Sequence, residues 1–298
     1  MKNLKRMKYL LLLPLLLTGA FFSCAQTKGK SNAKQPLVVF VTGDHEYSSE
    51  LTMPLLAAEL EKNYGFRTKV LKSSPHHESE ENIPGLEILK EADLAVFYLR
   101  WRRLPADQVK HIDDYLNSGK PVMGFRTSTH AFNYPKGHEL EGWNAFGERA
   151  LGSPPGWGKA GHTHYGHEST TKVSVIPQAA QHPILRGVAP NFAAKSWLYV
   201  VLPDYPAKGS EWLLMGSPVN PNKPDAKDQP VAWTWKTAAG GKVFTTTLGH
   251  PEDFQEEGMQ RLAINAVHWT LDKPVPKQWK GKTPINVAYD SHEVNIKK

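Results

Sequence analysis

Residues 92–125, ADLAVFYLRWRRLPADQVKHIDDYLNSGKPVMGF, contain the pattern that decides the fold. The apolar run at 92–98 predicts a strand buried on both faces. Pro105 then begins a predicted helix, whose apolar residues recur every three to four positions until Gly119 ends it. Residues 121–125 predict a second buried strand. A strand, a helix and a strand within this length are typical of a parallel sheet covered by helices.

The segments before this stretch repeat the alternation. Residues 37–41 form a continuous apolar run, and 67–71 read as another strand. Between them, Ser48 or Ser49 caps a predicted helix that Gly65 ends. The first half therefore predicts an α/β protein with a doubly wound, mostly parallel sheet of the flavodoxin-like type.

The second half is richer in strands. Predicted strands lie at 172–176, 196–202, 212–215, 231–235 and 242–248, and the last two form a hairpin through Ala238–Gly241. A helix is predicted at about 255–271. No internal repeat is present.

The N-terminus has the pattern of a bacterial export signal. A basic start is followed by the apolar stretch 10–22 and small residues before Cys24, the single cysteine. We interpret 1–23 as a signal peptide, Cys24 as a lipidated N-terminus and 24–35 as a tether. The alternative is an ordinary secretory signal cut near Ala25. The pattern predicts an exported protein, anchored by lipid on the periplasmic face of the outer membrane.

The composition after this signal excludes several functions. Residues 36–272 form the predicted domain, and the Pro- and Lys-rich residues 273–298 a C-terminal arm. The domain has no cysteine, which excludes disulfides and a thiolate nucleophile. Removing the four basic residues of the signal from 36 Lys and Arg, against 29 Asp and Glu, leaves a net charge of about +3. Neither this charge nor any motif indicates nucleic-acid binding.

Polar loops follow the predicted strands where open α/β sheets bind ligands. Four loops carry the candidate residues: 43–47, 100–103, 126–130 and 249–253. As catalytic candidates they supply Asp44, His45, Glu46, His130 and His250. As ligand-binding candidates they supply Arg100, Trp101, Arg126, Thr127, Ser128, Glu252 and Asp253. Trp101, Trp143, Trp157 and Tyr134 lie in or near these loops and can stack on sugar rings, whereas Trp197 and Trp233 are expected in the core.

Four stretches resemble the ThuA-like (trehalose utilisation) family: VVFVTGDHEY, the segment from Glu91 to Phe132, HPILRGV, and GGKVFTTTLGHPEDFQEEGMQRLAINAVHW. The resemblance runs from about residue 37 to 271. It implies a class I glutamine amidotransferase-like fold and a link to disaccharide use. It also implies a sugar oxidoreductase partner that makes keto-sugars.

In relatives with this fold a nucleophilic cysteine lies at the sharp turn after the fourth strand. Here that turn is Arg126–His130, without a thiol. Ser128 is a weak substitute, because the flanking glycines of a nucleophile elbow are absent. Hydrogen bonding to a ligand, or capping of the following turn, are the other uses of Thr127, Ser128 and Thr129.

A second cluster is GHTHYGH at 161–167. Its three histidines, His162, His164 and His167, could bind a divalent metal. Their other use is hydrogen bonding to sugar hydroxyls, with one imidazole acting as an acid or base.

Three functions therefore remain open from the sequence. The first is acid–base chemistry on a disaccharide or keto-sugar, with His45 and His250 as proton carriers beside the carboxylates of their loops. The second is a carbohydrate-binding lipoprotein without catalysis. The third is a metal-dependent hydrolase using the histidine cluster 162–167.

Overall fold

The computed structural model describes residues 34–280 and 285–289, and the predicted signal and Cys24 lie outside these ranges. The strands are β1 Leu37–Gly43, β2 Arg67–Leu71, β3 Leu94–Leu99, β4 Val122–Phe125, β5 Thr163–His164, β6 Thr170–Val175, β7 Asn191–Ala194, β8 Tyr199–Val200, β9 Glu211–Val219, β10 Gln229–Lys236 and β11 Lys242–Thr246. The helices are α1 Ser49–Tyr64, α2 Ala106–Asn117, α3 Phe146–Leu151 and α4 Glu257–Thr270, joined by short 3₁₀ turns.

Nine strands form one sheet in the order β2-β1-β3-β4-β11-β10-β9-β6-β7, while β5 pairs only with β8. The first five strands of this order are parallel to one another. From β11 to β7 each pair is antiparallel, so β10 and β6 alone run against the common direction. Seven of the nine strands thus share one direction, and the predicted mostly parallel α/β sheet is confirmed.

Helices cover both faces of the sheet, because the strands are apolar on both sides. In β1, Val38 and Phe40 belong to the core under α1 and α4, whereas Val39 and Val41 belong to the core under α2. All of β1 is buried, as a strand between two helical layers requires. This is the doubly wound arrangement that the sequence predicts.

The segment 196–202 differs from its predicted strand. Only Tyr199 and Val200 pair, as β8, because side chains take the neighbouring backbone donors. Asp253 accepts from the Lys195 and Ser196 amides, and the side-chain oxygen of Gln229 accepts from the two amides that follow β8. A backbone held by side chains in this way has no donors left for a longer ladder.

The described parts of the C-terminal arm pack against the domain. Val275, Ile285 and Val287 are buried, and Trp279 packs beside α4. Within the described ranges, no helix has the length and apolar character needed to cross a membrane.

Candidate functional site

Strand direction places the candidate loops on one edge of the sheet. The loops after β1, β3, β4 and β11 follow parallel strands and therefore share the carboxyl edge. Because β6 runs in the opposite direction, its preceding loop 157–169 reaches the same edge, and so does segment 195–203, which follows β7. The result is a polar rim made of six loops.

Arg126 links three of these loops. It is the first residue after β4, is fully buried and has a left-handed φ of 43°. Its Nη1 donates to the carbonyls of Trp197 (2.9 Å) and Thr247 (3.0 Å), and its Nη2 donates to the Tyr47 hydroxyl (2.9 Å). The guanidinium also lies over the rings of Tyr47 and Tyr199, at 4.6 and 4.3 Å. Arg126 therefore places a buried positive charge at the turn after β4.

This charge acts on four histidines of the rim. Burial is the first cause that lowers the pKa of His130, His162, His164 and His250, and the positive charge of Arg126 lowers each of them further. The pKa falls to about 4 for His162 and His164 and to about 3 for His250. All four imidazoles are consequently neutral at neutral pH.

A hydrogen-bond relay fixes the orientation of His130. His162 Nδ1 lies 3.2 Å from the Val200 carbonyl and can only donate to it, which leaves its Nε2 as an acceptor. The Thr129 hydroxyl lies 2.8 Å from this Nε2 and 3.2 Å from the Arg126 carbonyl, and its single proton is donated to one of these two acceptors. The Thr129 oxygen in turn accepts from His130 Nδ1 at 3.0 Å. Since His130 is neutral, its Nε2 carries the lone pair. The relay thus sets the tautomer of His130, and nitrogen Nε2 is its hydrogen-bond acceptor.

Aromatic rings surround His130. The centroid distances are 4.8 Å to Trp157, 5.9 Å to Tyr199 and 6.3 Å to Trp101. Rings of this kind offer flat apolar faces beside a polar group. The other two aromatic candidates lie elsewhere: Trp143 and Tyr134 pack against Phe132, in the core under α2.

Glu46 and Arg100 form an ion pair next to this aromatic group. Arg100 Nε lies 2.7 Å from Glu46 Oε2, and both side chains are largely buried. The Arg100 guanidinium stacks over Trp101 at 3.4 Å from the ring centroid. Its charge also lowers the pKa of His130, so a second cation lies close to that imidazole.

His45 lies between the side chains of Arg100 and Arg102. Its Nδ1 accepts from Arg102 Nη2 at 2.6 Å, and its Nε2 lies 3.0 Å from Arg100 Nη1. Arg102 is fully buried and also donates to the Ser73 hydroxyl and the Ser79 carbonyl. This network holds the loop after β3 against the loop after β1, and it engages both ring nitrogens of His45.

Asp44 and Asp253 bind backbone amides. Asp44 accepts from the amides of Glu46 (2.9 Å), Tyr47 and Ser49 (2.9 Å), and thereby shapes the turn into α1. Asp253 accepts from the Gly249 amide (3.0 Å) and from the Ser196 hydroxyl (2.5 Å) as well as from two amides before β8. Burial raises the pKa of Asp253. Both carboxylates therefore fix the backbone conformation of their loops through these hydrogen bonds.

His250 caps the 3₁₀ turn Pro251–Gln255. Its Nδ1 accepts from the Glu252 amide at 3.2 Å, so the proton of the neutral ring lies on Nε2. The ring packs against Tyr47 at 5.9 Å. His250 is therefore a fixed hydrogen-bond donor at the edge of the site, and Glu252 is half-buried beside it.

Ser128 and Thr127 are buried within the turn after β4. Ser128 Oγ donates to the Phe97 carbonyl at 2.8 Å and accepts from the Leu99 amide at 3.1 Å, so it joins β4 to β3. The hydroxyl oxygen of Thr127 has no hydrogen-bond partner in the described structure. The Ser128 hydroxyl both donates to and accepts from the backbone, and this position does not suit a nucleophile.

The histidines of 162–167 do not converge as three ligands: His164 and His167 lie together, with ring centroids 4.8 Å apart, beside Trp197. His162 belongs to the relay, whereas His164 Nδ1 accepts from the Gly166 amide at 2.9 Å. His167 is exposed, and its ring lies 4.3 Å from that of Trp197. Among residues 34–280 and 285–289, no group of three or more His, Cys, Asp or Glu side chains could hold a metal ion.

Three residues of the site were not singled out from the sequence: Tyr47, Trp197 and Tyr199. Thr129 was expected to bind a ligand or cap its turn, and its place between His162 and His130 was not foreseen. The sequence assigned Trp197 to the core, but its carbonyl binds Arg126 and its ring contacts His164 at 5.2 Å. A signal for Trp197 and Tyr199 existed in the long polar stretch 203–210 that follows them. Their position at the rim depends on β7 running in the common direction of the sheet, which sequence alone does not give.

The fold and the site define an α/β protein with a doubly wound sheet and a polar rim at the carboxyl edge of that sheet. The sequence model of the ThuA family, described as trehalose utilisation, matches residues 37–270. The chain therefore belongs to the ThuA family, which relates it to sugar handling. The comparison with curated proteins gives no match.

Two solved structures of ThuA-like proteins share the fold. The protein from Parabacteroides merdae is 18% identical with a TM-score of 0.63, covering 83% of this chain and 94% of its own. The protein from Bacteroides uniformis is 19% identical with a TM-score of 0.53, covering 80% and 93%. At these identities the likeness concerns the fold.

Proposed function

We propose that this protein is an exported, lipid-anchored ThuA protein that binds a disaccharide or its keto derivative at the rim around His130. The observation that carries the proposal is the fixed, neutral imidazole of His130 among three aromatic rings. A sugar offers hydroxyl groups and apolar ring faces together, and this group of side chains complements both.

The surrounding charges support a polar ligand. Arg100 and Arg126 both lower the pKa of His130. Arg100 is paired with Glu46, whereas the groups that contact Arg126 are carbonyls and aromatic rings. Guanidinium groups donate hydrogen bonds and favour ligand oxygens that carry partial or full negative charge, such as a keto oxygen. His130 Nε2, as an acceptor, would bind a neighbouring sugar hydroxyl.

The relay favours a second candidate, proton transfer. An imidazole whose tautomer is set by a neighbouring hydroxyl is also the arrangement of a general base. In this candidate, His130 Nε2 takes a proton from a hydroxyl or from a carbon beside the keto group, and the nearby guanidinium groups stabilise the resulting oxyanion. The low pKa of His130 makes it a weak base, so binding without catalysis remains our first proposal.

The placement and partner belong to the same proposal. The signal pattern and the absence of Asp after Cys24 support a lipid anchor on the periplasmic face of the outer membrane. The proposed partner is an oxidoreductase that makes keto-sugars, with which this protein would share its ligand. We expect no nucleic-acid partner.

Calorimetry of the mature protein with trehalose, 3-keto-trehalose and glucose tests the binding proposal. We expect a sugar to bind the parent and to bind His130→Ala at least about ten-fold more weakly, because an acceptor in a desolvated site is lost. Absence of binding by all three sugars, or equal binding by His130→Ala, would reject it. Incubation with 3-keto-trehalose in D₂O, followed by NMR, tests proton transfer from the carbon beside the keto group, because that transfer incorporates deuterium faster with the parent than with His130→Ala.

A further inference from the structure

Residues 285–289 dock on the rim beside His250. Alternate residues of this segment, Ile285 and Val287, are buried, whereas Asn286 and Ala288 are exposed. Asn286 Oδ1 accepts from Gln255 Nε2 at 3.1 Å. An extended segment with one buried face and a polar contact is held in a defined register.

This register brings Tyr289 onto the site. Its ring centroid lies 4.5 Å from that of His250, 6.0 Å from Tyr47 with the rings 24° from parallel, and 6.4 Å from Trp197. Tyr47 is the hydroxyl partner of Arg126, so Tyr289 lies one side chain away from the central guanidinium. The ring of Tyr289 thus extends the aromatic lining of the rim.

Tyr289 is more exposed and has more polar neighbours than the buried residues of the same segment. The residue is half-buried, unlike Ile285, and its neighbours include the imidazole of His250 with a donor on Nε2. A partly open aromatic face beside a fixed hydrogen-bond donor suits a sugar ring, whose apolar face stacks while its hydroxyls bind the polar neighbour.

We propose that residues 285–289 complete the ligand site and that Tyr289 contacts one ring of a carbohydrate ligand. The inference rests on the proposed function and adds a specificity-determining residue. Tyr289 lies outside residues 37–270, where the family model matches, so the contact is made by a part of this chain beyond the family domain. A second ring at Tyr289, with the first at His130, favours a disaccharide over a monosaccharide.

Calorimetry with trehalose, 3-keto-trehalose and glucose tests this on Tyr289→Ala and Tyr289→Phe. We expect Tyr289→Ala to bind the disaccharides about five- to ten-fold more weakly and glucose unchanged, as loss of one aromatic contact predicts. Tyr289→Phe keeps the ring and should bind like the parent. Tyr64→Ala is the matched control, because Tyr64 is a half-buried tyrosine at the far end of α1 that packs on His268.

The outcomes separate this inference from the proposed function. Binding that depends on His130 but is equal in Tyr289→Ala and the parent would overturn the role of Tyr289 alone. Equal weakening by Tyr64→Ala would also overturn it, because a general loss of stability would then explain the effect. Absence of binding to any of the three sugars by the parent would overturn both.

Discussion

Arg126 donates a hydrogen bond through Nη2 to the hydroxyl of Tyr47 at 2.9 Å, joining the turn after β4 to the loop after β1. The same guanidinium reaches two carbonyls on other loops. A buried cation is costly unless its surroundings compensate for lost hydration. Here carbonyl dipoles and aromatic faces provide that compensation, and the buried charge acts on the neighbouring imidazoles of His130 and His250.

Replacement of Arg126 should damage both stability and electrostatics. Arg126→Met leaves three buried acceptors without a donor, at about 1–3 kcal/mol each, so we expect a loss of several kcal/mol in urea unfolding. Because Arg126 lowers the pKa of His250, its removal should raise that pKa, measured by NMR titration of the imidazole. Arg126→Lys keeps the charge and should retain most of the lowered pKa. An unchanged pKa in Arg126→Met would contradict the electrostatic role.

Thr129→Val tests the relay. The substitution keeps the shape of the side chain but removes the hydroxyl that bridges His162 at 2.8 Å and His130 at 3.0 Å. We expect about 1–2 kcal/mol lower stability and about ten-fold weaker sugar binding, because the tautomer of His130 is no longer fixed. Thr129→Ser restores the hydroxyl and should recover both properties. Normal binding by Thr129→Val would mean that the relay is only structural.

The sequence predicted the sheet and much of the rim, because both follow from strand direction. Apolar runs at 37–41 and 92–98 indicate buried strands, and parallel strands place their following loops on one edge. The loop 157–169 escaped this reasoning. Its place at the rim depends on β6 running against the other strands, and strand order across a sheet is a long-range property.

The roles within one loop were also beyond the sequence. Asp44 and Glu46 are two residues apart, yet the first binds three backbone amides and the second pairs with Arg100. The backbone path decides which carboxylate faces the chain, and Ser48, with a φ of 52°, turns that path into α1. Such local conformation is not readable from residue types alone.

Asp44→Ala should therefore mainly lower stability, whereas Glu46→Gln should mainly weaken sugar binding. Asp44→Ala leaves buried amides unsatisfied at the start of α1, so we expect a loss of about 2–4 kcal/mol of stability. Glu46→Gln removes the ion pair that holds Arg100 over Trp101, so we expect weaker sugar binding with a smaller change in stability. Thermal unfolding and calorimetry on both variants measure this contrast. The reverse pattern would show that Asp44 is the ligand-binding carboxylate.

Cys24→Ala tests the lipid anchor. If Cys24 is lipidated, the parent should partition into the detergent phase of Triton X-114 and the variant into the aqueous phase. Both proteins should be exported, because the basic and apolar parts of the signal are unchanged. Mass spectrometry of the mature N-terminus provides the check. Detergent partitioning of Cys24→Ala, or an unmodified N-terminus in the parent, would contradict lipidation.

The buried histidines predict that stability falls in mild acid. His162 and His250 have folded-state pKa values of about 4 and about 3, below the ordinary 6.5, chiefly because burial disfavours the charged ring. As the pH falls below 6.5, the unfolded chain takes up these protons before the folded one does, so unfolding becomes more favourable. Each such histidine contributes about 1.4 kcal/mol per pH unit, down to its folded pKa. The raised pKa of Asp253 acts in the opposite sense, because the folded state then binds that proton first.

Urea unfolding between pH 7 and pH 4 measures this dependence. The free energy of unfolding should decrease with falling pH, and His162→Gln should reduce the slope by about 1.4 kcal/mol per pH unit between pH 6 and pH 4.5. His76→Gln is the matched control, because it makes the same substitution at an exposed histidine. The same slope in the parent and in His162→Gln would mean that His162 is not held neutral by burial. The tautomer assigned to His130 through the relay would then fail as well.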